Sequence, residues 1–306
     1  MKILVTGSTG LVGNALVNDL RQAGHTVCRL MRPESKLDNT SEVAGFDVGW
    51  NPTSGELGGA AVGADAVVNL AGASIADGRW TAERKDLLRT SRVDSTAALV
   101  KALAKMSVRP RVLISASAVG YYGDRRDEVL LEESDVGRGF LGELARDWEA
   151  EASKAEVLGI RVALARFGIV LAKDGGALPR MAIPFRLGLG GRVGSGQQWM
   201  SWVSLDDVVE MVRMVLENGA VSGPVNFVSP QPVRNVDFMK ALAKALHRPV
   251  LFPAPAFALR LALGEMADAL LLSSQRVLPA KLGHLGYRFS NPDLFPVLRS
   301  ILAGRV

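Results

Sequence analysis

Residues 1–13, MKILVTGSTGLVG, constrain this chain more than any other stretch. Ile3-Leu4-Val5 is a short apolar, partly β-branched run of the kind that forms a buried strand. Ala15, Leu16, Leu20 and Ala23 then recur at helical spacing. Glycines at 7, 10 and 13 join the two segments. A strand, a glycine turn and a helix in this order can receive a dinucleotide pyrophosphate. Gly7 permits the tight turn, Gly10 lets backbone N–H groups approach the phosphates, and Gly13 lets helix and strand pack closely. The helix N-terminus adds partial positive charge at the same place. The spacing is G-x-x-G-x-x-G rather than G-x-G-x-x-G, and a glycine triplet also serves ordinary αβ turns. Its position at the first strand-to-helix turn, with Thr6 and Thr9 in the turn, favours the dinucleotide reading.

The end of the second strand, His25 to Met31, discriminates between cofactors. An acidic residue there binds the ribose 2′-hydroxyl of NAD, and a basic residue accommodates the 2′-phosphate of NADP. Here Met31-Arg32-Pro33 closes the strand with no acid before Glu34. Arg32 reads either as a phosphate ligand, for which a guanidinium is well shaped, or as a solvated strand end. NADP is the cofactor expected.

Strands and helices alternate for about 170 residues. Strands are expected at Val43–Trp50, Ala64–Gly72, Val112–Ser117 and Ile160–Phe167, with helices at Glu56–Val62, Thr81–Lys105 and around Leu141 to Ala155. This pattern predicts an α/β fold with a doubly wound parallel Rossmann sheet. Beyond Gly176 the texture changes. A short helix at Met181–Leu187 and a glycine-dense connection at 188–196 come first. A helix opened by Ser204 or Asp206 follows, then a strand at Val225–Val228 that returns to the sheet, and a helix at Asn235–Leu246. The expected division is a nucleotide-binding domain over 1–174 and a smaller α+β substrate lobe over 175–306, interleaved with the core.

Composition narrows the function. Cys28 is the only cysteine and the three histidines are scattered, so no metal site is expected. The net charge is +5, but no Lys/Arg run with interleaved aromatics suggests nucleic acid. No apolar run reaches the roughly 20 residues that span a bilayer. Without a recognisable leader, a cytoplasmic protein with a small-molecule substrate is expected.

Together these pieces resemble the extended short-chain dehydrogenases/reductases, the fold of the sugar-nucleotide epimerases. The chain is most similar to the atypical group labelled "epimerase family protein", also described as homologues of a cell-division inhibitor. The carriers are TGSTGLVG at 6–13, VNLAG at 68–72, Arg79-Trp80, Ser91-Arg92, Gly120-Tyr121-Tyr122-Gly123, Trp148-Glu149, RFGIVLA at 166–172 and PFRLGLGGRVGSGQQWMSWV at 184–203. The resemblance implies NADP(H) contacts at Gly7, Thr9, Gly10, Leu11, Val12 and Gly13, at Met31 and Arg32, and at Leu70, Ala71 and Gly72. Leu87, Arg92 and Val170 are further implied contacts.

The superfamily's chemistry uses a Tyr with a Lys four residues later, and a Ser or Thr that orients the substrate oxygen. Ser117 matches the Ser. The helix expected to carry Tyr-x-x-x-Lys reads Phe140-Leu141-Gly142-Glu143-Leu144, with Phe140 and Leu144 at the two positions. Either Tyr121 or Tyr122 replaces the missing acid, or the two form a packed aromatic rim. Trp202 and Gln198 are candidate substrate contacts, with a core role the alternative for the tryptophan. Two functions follow. One is an NADP-dependent oxidoreductase or epimerase-like enzyme acting on a hydroxyl or carbonyl. The other is a non-catalytic NADP(H)-binding sensor or regulator.

Overall fold

A computed structural model describes residues 1–32 and 47–303. Its strands are β1 (Lys2–Thr6), β2 (Thr26–Met31), β3 (Asp47–Asn51), β4 (Glu56–Leu57), β5 (Ala66–Asn69), β6 (Val112–Ala118), β7 (Val129–Leu130), β8 (Arg161–Phe167), β9 (Ile169–Leu171), β10 (Trp199–Met200), β11 (Trp202–Ser204), β12 (Gly223–Phe227), β13 (Val233–Arg234) and β14 (Arg276–Val277). The α-helices are α1 (Leu11–Gln22), α2 (Ala82–Arg89), α3 (Ser95–Ala104), α4 (Phe140–Ser153), α5 (Leu178–Arg186), α6 (Leu205–Glu217), α7 (Asn235–Leu246), α8 (Ala256–Leu263), α9 (Ala280–His284) and α10 (Leu294–Leu302).

Among the described residues, eight strands form one sheet in the order β12-β8-β6-β5-β1-β2-β3-β4, parallel except for the final β3–β4 pair. The order reverses direction at β1, so the crevice between the carboxyl ends of β1 and β5 is the topological switch point. Both faces are covered, as parallel sheets require. Ile3, Val5, Val68, Ile114 and Val225 point to one side, against Leu16, Val17 and Leu20 of α1 and Val208, Met211 and Val212 of α6. Leu4, Val67, Leu113 and Val162 point to the other, against Leu99 and Leu103 of α3 and Ala152 of α4. This is the period-2 alternation of a strand read through a two-sided core. Cys28 lies buried in the second layer, where burial pushes its thiol up.

The chain after 175 divides its contribution. α6 and β12 complete the Rossmann layers, while α5, α7, α10 and Trp202 build a third core around Phe185, Phe238 and Leu298.

Two expectations are corrected. Glu56–Val62 is not a helix: Glu56 and Leu57 pair antiparallel with Asn51 and Trp50, and a short 3₁₀ turn covers Gly59–Ala61. Gly58 and Gly59 give a helix there no propensity to form. The long helix at 81–105 starts as expected, with the Thr81 side chain accepting from Arg84 N–H. A π-helical turn over Thr90–Asp94 then interrupts it. Of the expected third strand, Val43–Phe46 lies outside the described residues, and Asp47–Asn51 is extended.

Candidate functional site

At the switch point Gly7 has φ +63°, and a Cβ there would lie 2.6 Å from the carbonyl of Leu70. The turn can therefore close onto the end of β5 only because position 7 lacks a side chain. A Cβ on Gly13 would lie 2.1 Å from the Gly7 oxygen, so the first turn of α1 also presses directly on the loop. Thr6 Oγ1 locks the crevice: it donates to Asn69 Oδ1 at 2.7 Å and accepts from the Leu70 and Ala71 N–H groups at 3.1 and 3.2 Å. Thr9 and Gly10 remain exposed, and Leu11 and Val12 half-buried. α1 has no side-chain cap and no acidic residue in its first turn. Its first N–H groups therefore lack intrahelical and side-chain partners, an anion-binding arrangement. A cavity of about 610 Å³ borders this turn, lined by Gly10, Leu11, Lys173, Asp174, Ser204 and Asp206 among others.

The other expected cofactor residues gather at the strand ends. Met31 closes β2 half-buried, with the Ser8 hydroxyl donating to its sulfur at 3.7 Å. Arg32 is exposed and makes no hydrogen bond or ion pair among the described residues. Ala71 is half-buried and Gly72 exposed. Behind them the π turn brings Ser91 and Arg92 against the β5 exit. The Ser91 hydroxyl accepts from Ala73 N–H at 3.1 Å, and Arg92 Nη2 donates to the Ala73 carbonyl at 2.9 Å. The Arg92 guanidinium lies 3.0 Å from where a Gly72 Cβ would stand and 5.3 Å from the Trp148 ring. It forms no ion pair among the described residues; burial, helped by the charge of Arg84, lowers it to about 10. Inserted π turns recur at functional sites because they re-aim one residue out of the helical register. Leu87 stands exposed on α2, and Val170 is paired with Val203 in the β9–β11 ladder.

The expected catalytic residues sit in a buried polar network. Ser117, 2% exposed at the end of β6, donates to Glu149 Oε1 at 2.6 Å. Glu149 in turn receives Arg166 Nε and Nη2, each at 2.8 Å, with Arg166 only 2% exposed. Burial opposes the guanidinium charge, but the paired carboxylate more than offsets it and holds Arg166 above its ordinary range. Arg166 Nη1 donates to the Tyr122 hydroxyl at 2.9 Å, and that hydroxyl donates to Asn226 Oδ1 at 2.7 Å. Tyr122 is thus a correction. It is fully buried, its oxygen is used on both sides, and burial pushes it up to about 12, so it is scaffold rather than a proton donor to a ligand. Tyr121 differs. It is half-buried, its ring lies 3.6 Å from the Arg166 guanidinium, and its hydroxyl makes no hydrogen bond among the described residues.

The contact between Ser117 and Glu149 also corrects the helix register. One and two turns before Glu149 on the same stripe of α4 stand Ala145 and Leu141. These, rather than Leu144 and Phe140, occupy the stripe that faces the end of β6. Leu141 packs over Gly120, while Phe140 turns away to meet Trp80 edge-on at 5.2 Å. Either way the stripe holds neither Tyr nor Lys.

Gln198 and Trp202 are corrected as well. Gln198 is 6% exposed, with Nε2 donating to the carbonyls of Val193 and Leu271. Trp202 is fully buried, with Nε1 donating to Gln231 O. Gln198 thereby ties the glycine-dense segment to the Ala267–Leu272 turn, Trp202 ties the third core to Gln231, and each spends its side-chain N–H on the fold. Sequence reasoning passed over Glu149 and Arg166 as site residues, and their only signal was membership in motifs spaced 17 residues apart.

A glycine turn at the switch point of a doubly wound sheet, with orphan N–H groups and an uncompensated guanidinium beside it, defines a Rossmann-type nucleotide-binding protein. The chain belongs to the NAD dependent epimerase/dehydratase family, whose sequence profile matches residues 3–227. Residues 254–301 match a domain of unknown function, DUF1731. Epimerase family protein Mb2239 of Mycobacterium bovis is 44% identical over 288 residues, covering 94% of this chain and 93% of the relative. Epimerase family protein YfhF of Bacillus subtilis is 39% identical over 308 residues, covering 100% and 99%. Among solved structures, human epimerase family protein SDR39U1 (isoform 2), determined with NADPH, superposes with a TM-score of 0.87 at 31% identity over 99% of each chain.

Proposed function

We propose that this protein is an NADP(H)-dependent oxidoreductase of the short-chain dehydrogenase/reductase type, acting on a small hydroxyl or carbonyl compound. The observation that carries the cofactor is the cradle itself. Gly7 and Gly13 occupy positions that a Cβ would fill, and positive potential comes from the α1 N-terminus, whose first turn holds no acidic residue, and from Arg92, which has no ion pair among the described residues. The human relative solved with NADPH supports the same reading. Gly7 to Gly13 would hold the pyrophosphate, Met31 and Arg32 the adenosine phosphate, and Leu70 to Gly72 with Leu87, Arg92 and Val170 the remainder. NADPH would supply or accept a hydride when bound.

The chain's own part is to bind a substrate oxygen and move its proton. Ser117 has committed its proton to Glu149, so its oxygen is left as an acceptor that orients a substrate hydroxyl. Tyr121, near the same strand end and with a hydroxyl that makes no hydrogen bond among the described residues, is the remaining candidate for proton transfer.

Calorimetric titration tests the cofactor assignment: NADPH should bind more tightly than NADH, Arg32→Ala should remove that preference, and Arg92→Met should weaken NADPH. Equal affinity for NADH in the wild-type chain would refute NADP selectivity. A screen of secondary alcohols with NADP⁺ and of carbonyls with NADPH, followed at 340 nm, tests turnover, and activity that survives Tyr121→Phe would refute the role of Tyr121. The α4 stripe of Leu141, Ala145 and Glu149 favours a second reading, an NADP(H)-responsive binding protein without turnover. One substrate turned over in the screen would exclude it.

A further inference from the structure

The lobe after residue 175 carries an apolar face that the described residues leave uncovered. α8 reads AFALRLAL, and none of its eight residues is buried. A helix this apolar ordinarily lies in a core. Phe257 and Leu261, one turn apart, are 72% and 79% exposed. Two further apolar segments lie beside it. Val193 bridges to Ala254, two residues before α8, and the N–H groups of Leu251 and Phe252 both donate to the Gly190 carbonyl, at 2.9 and 3.2 Å. The Leu189 N–H returns to the Pro184 carbonyl of α5 at 2.8 Å. Leu189, Leu251 and Phe252 are thus neighbours, and Ile183 and Leu187 continue the surface along α5; all five are exposed. Contiguous exposed apolar surface marks an interaction site.

Charge and backbone chemistry indicate what covers it. Neither 175–205 nor 238–264 contains an Asp or Glu. Arg186, Arg192 and Arg248 stand exposed in these stretches with no ion pair among the described residues. A second copy of this chain would set arginine against arginine, whereas an anionic surface complements them. Residues 247–253 are all exposed. Even so, Pro249, Pro253 and Pro255 have no N–H, and Leu251, Phe252 and Ala254 have given theirs to the carbonyls of Gly190 and Arg192. A loop open to water has no need to spend its donors internally, but one that enters hydrocarbon does.

We propose that the Val250-Leu251-Phe252 tip and the outer side of α8 form a contact that docks this lobe on an anionic phospholipid surface. Leu251, Phe252 and Phe257 enter the acyl boundary, and Arg186 and Arg248 meet the headgroups. Prolines on both sides of the tip restrict it beforehand, so insertion costs little ordering. No helix among the described residues is long and apolar enough to cross a membrane, and this contact asks for none. The proposal does not depend on the cofactor reading, and it gives a use to the opening helix of the DUF1731 segment.

Co-sedimentation of the full chain with phosphatidylcholine vesicles, with and without about 30% phosphatidylserine, tests it. Binding should require the anionic lipid and weaken as salt is raised. Leu251→Ser/Phe252→Ser should lower the partition coefficient at least about tenfold. Arg186→Gln and Arg248→Gln should each lower it about fivefold. All three variants should keep the native circular dichroism spectrum, since the residues changed are exposed. Insertion is read separately. Cys28 is the only cysteine and is buried, so a label can be placed at will. An environment-sensitive fluorophore on Leu251→Cys should shift to the blue with anionic vesicles, and one on Val157→Cys, exposed beyond α4, should not. No sedimentation with anionic vesicles, binding that the tip variant leaves unchanged, or an unshifted label on Leu251→Cys would overturn the proposal. So would a wild-type dimer in light scattering that Leu251→Ser/Phe252→Ser dissociates, because a second copy would then cover the face.

Discussion

Replacing Glu149 by Ala tests the network behind the site most severely. Arg166 is 2% exposed and gives two hydrogen bonds of 2.8 Å to Glu149; only the Glu132 carbonyl and the Tyr122 hydroxyl would remain to it. Removing one partner of a buried pair leaves an uncompensated charge and costs about 3–5 kcal/mol. A chain of 306 residues unfolds with an entropy of about 0.6 kcal/mol/K, so 4 kcal/mol lowers the melting temperature by about 6 °C. Glu149→Gln keeps the shape and one acceptor and should lose roughly half as much. The double variant Glu149→Met/Arg166→Met removes both charges and should recover most of the loss, because replacing a whole buried pair by apolar groups is far less costly than halving it. Circular dichroism melts of the four proteins read this directly. A melting temperature for Glu149→Ala within about 1 °C of wild type would refute the description of the pair as buried and mutually dependent. A double variant as unstable as the single would refute the account of the loss as an orphaned charge.

Gly13→Ala places a methyl 2.1 Å from the Gly7 oxygen and should separate α1 from the turn, weakening NADPH at least tenfold in the same titration while the far-ultraviolet spectrum stays native. Trp202→Phe removes the donor to Gln231 O from the third core and should cost about 1–3 kcal/mol in urea unfolding with NADPH affinity unchanged; a selective loss of affinity would restore Trp202 to the binding site. Tyr122 predicts a pH dependence. Folding favours its neutral form and raises it to about 12, so this contribution is complete below pH 10 and disappears as pH rises from 10 through 12. Tyr122→Phe should therefore flatten the alkaline decline in stability. Absorbance at 295 nm should show the Tyr122 step near pH 12 in the folded wild type and lack it in the variant; a wild-type profile complete by pH 10.5 would contradict its burial.

The Rossmann reading was legible because its determinants are local. Strand alternation and the glycines at 7, 10 and 13 each act within a few residues, and the sheet order and crevice carry them out. Caps and helix limits were equally readable, as at Thr81, Ser204 and Asn235–Leu246. The π turn at Thr90–Asp94 had no such mark, since what favours it is the seat that Ala73 and Gly72 provide for Ser91 and Arg92.

The site chemistry divides along the same line. The sequence by itself determined that a dinucleotide cradle exists and that no Tyr-x-x-x-Lys accompanies it, because both are statements about residue types at fixed spacing. Only the tertiary structure decided which polar groups are free to act. Tyr121 and Tyr122 are neighbours of identical chemistry, yet β8 and β12 bring Arg166 and Asn226 onto the hydroxyl of one and leave the other open. Ser117 near the end of β6 and Ser8 in the turn after β1 are likewise both buried serines, and one faces a carboxylate while the other faces a thioether. A hydroxyl's availability depends on partners up to 104 residues away, and no local pattern encodes that distance.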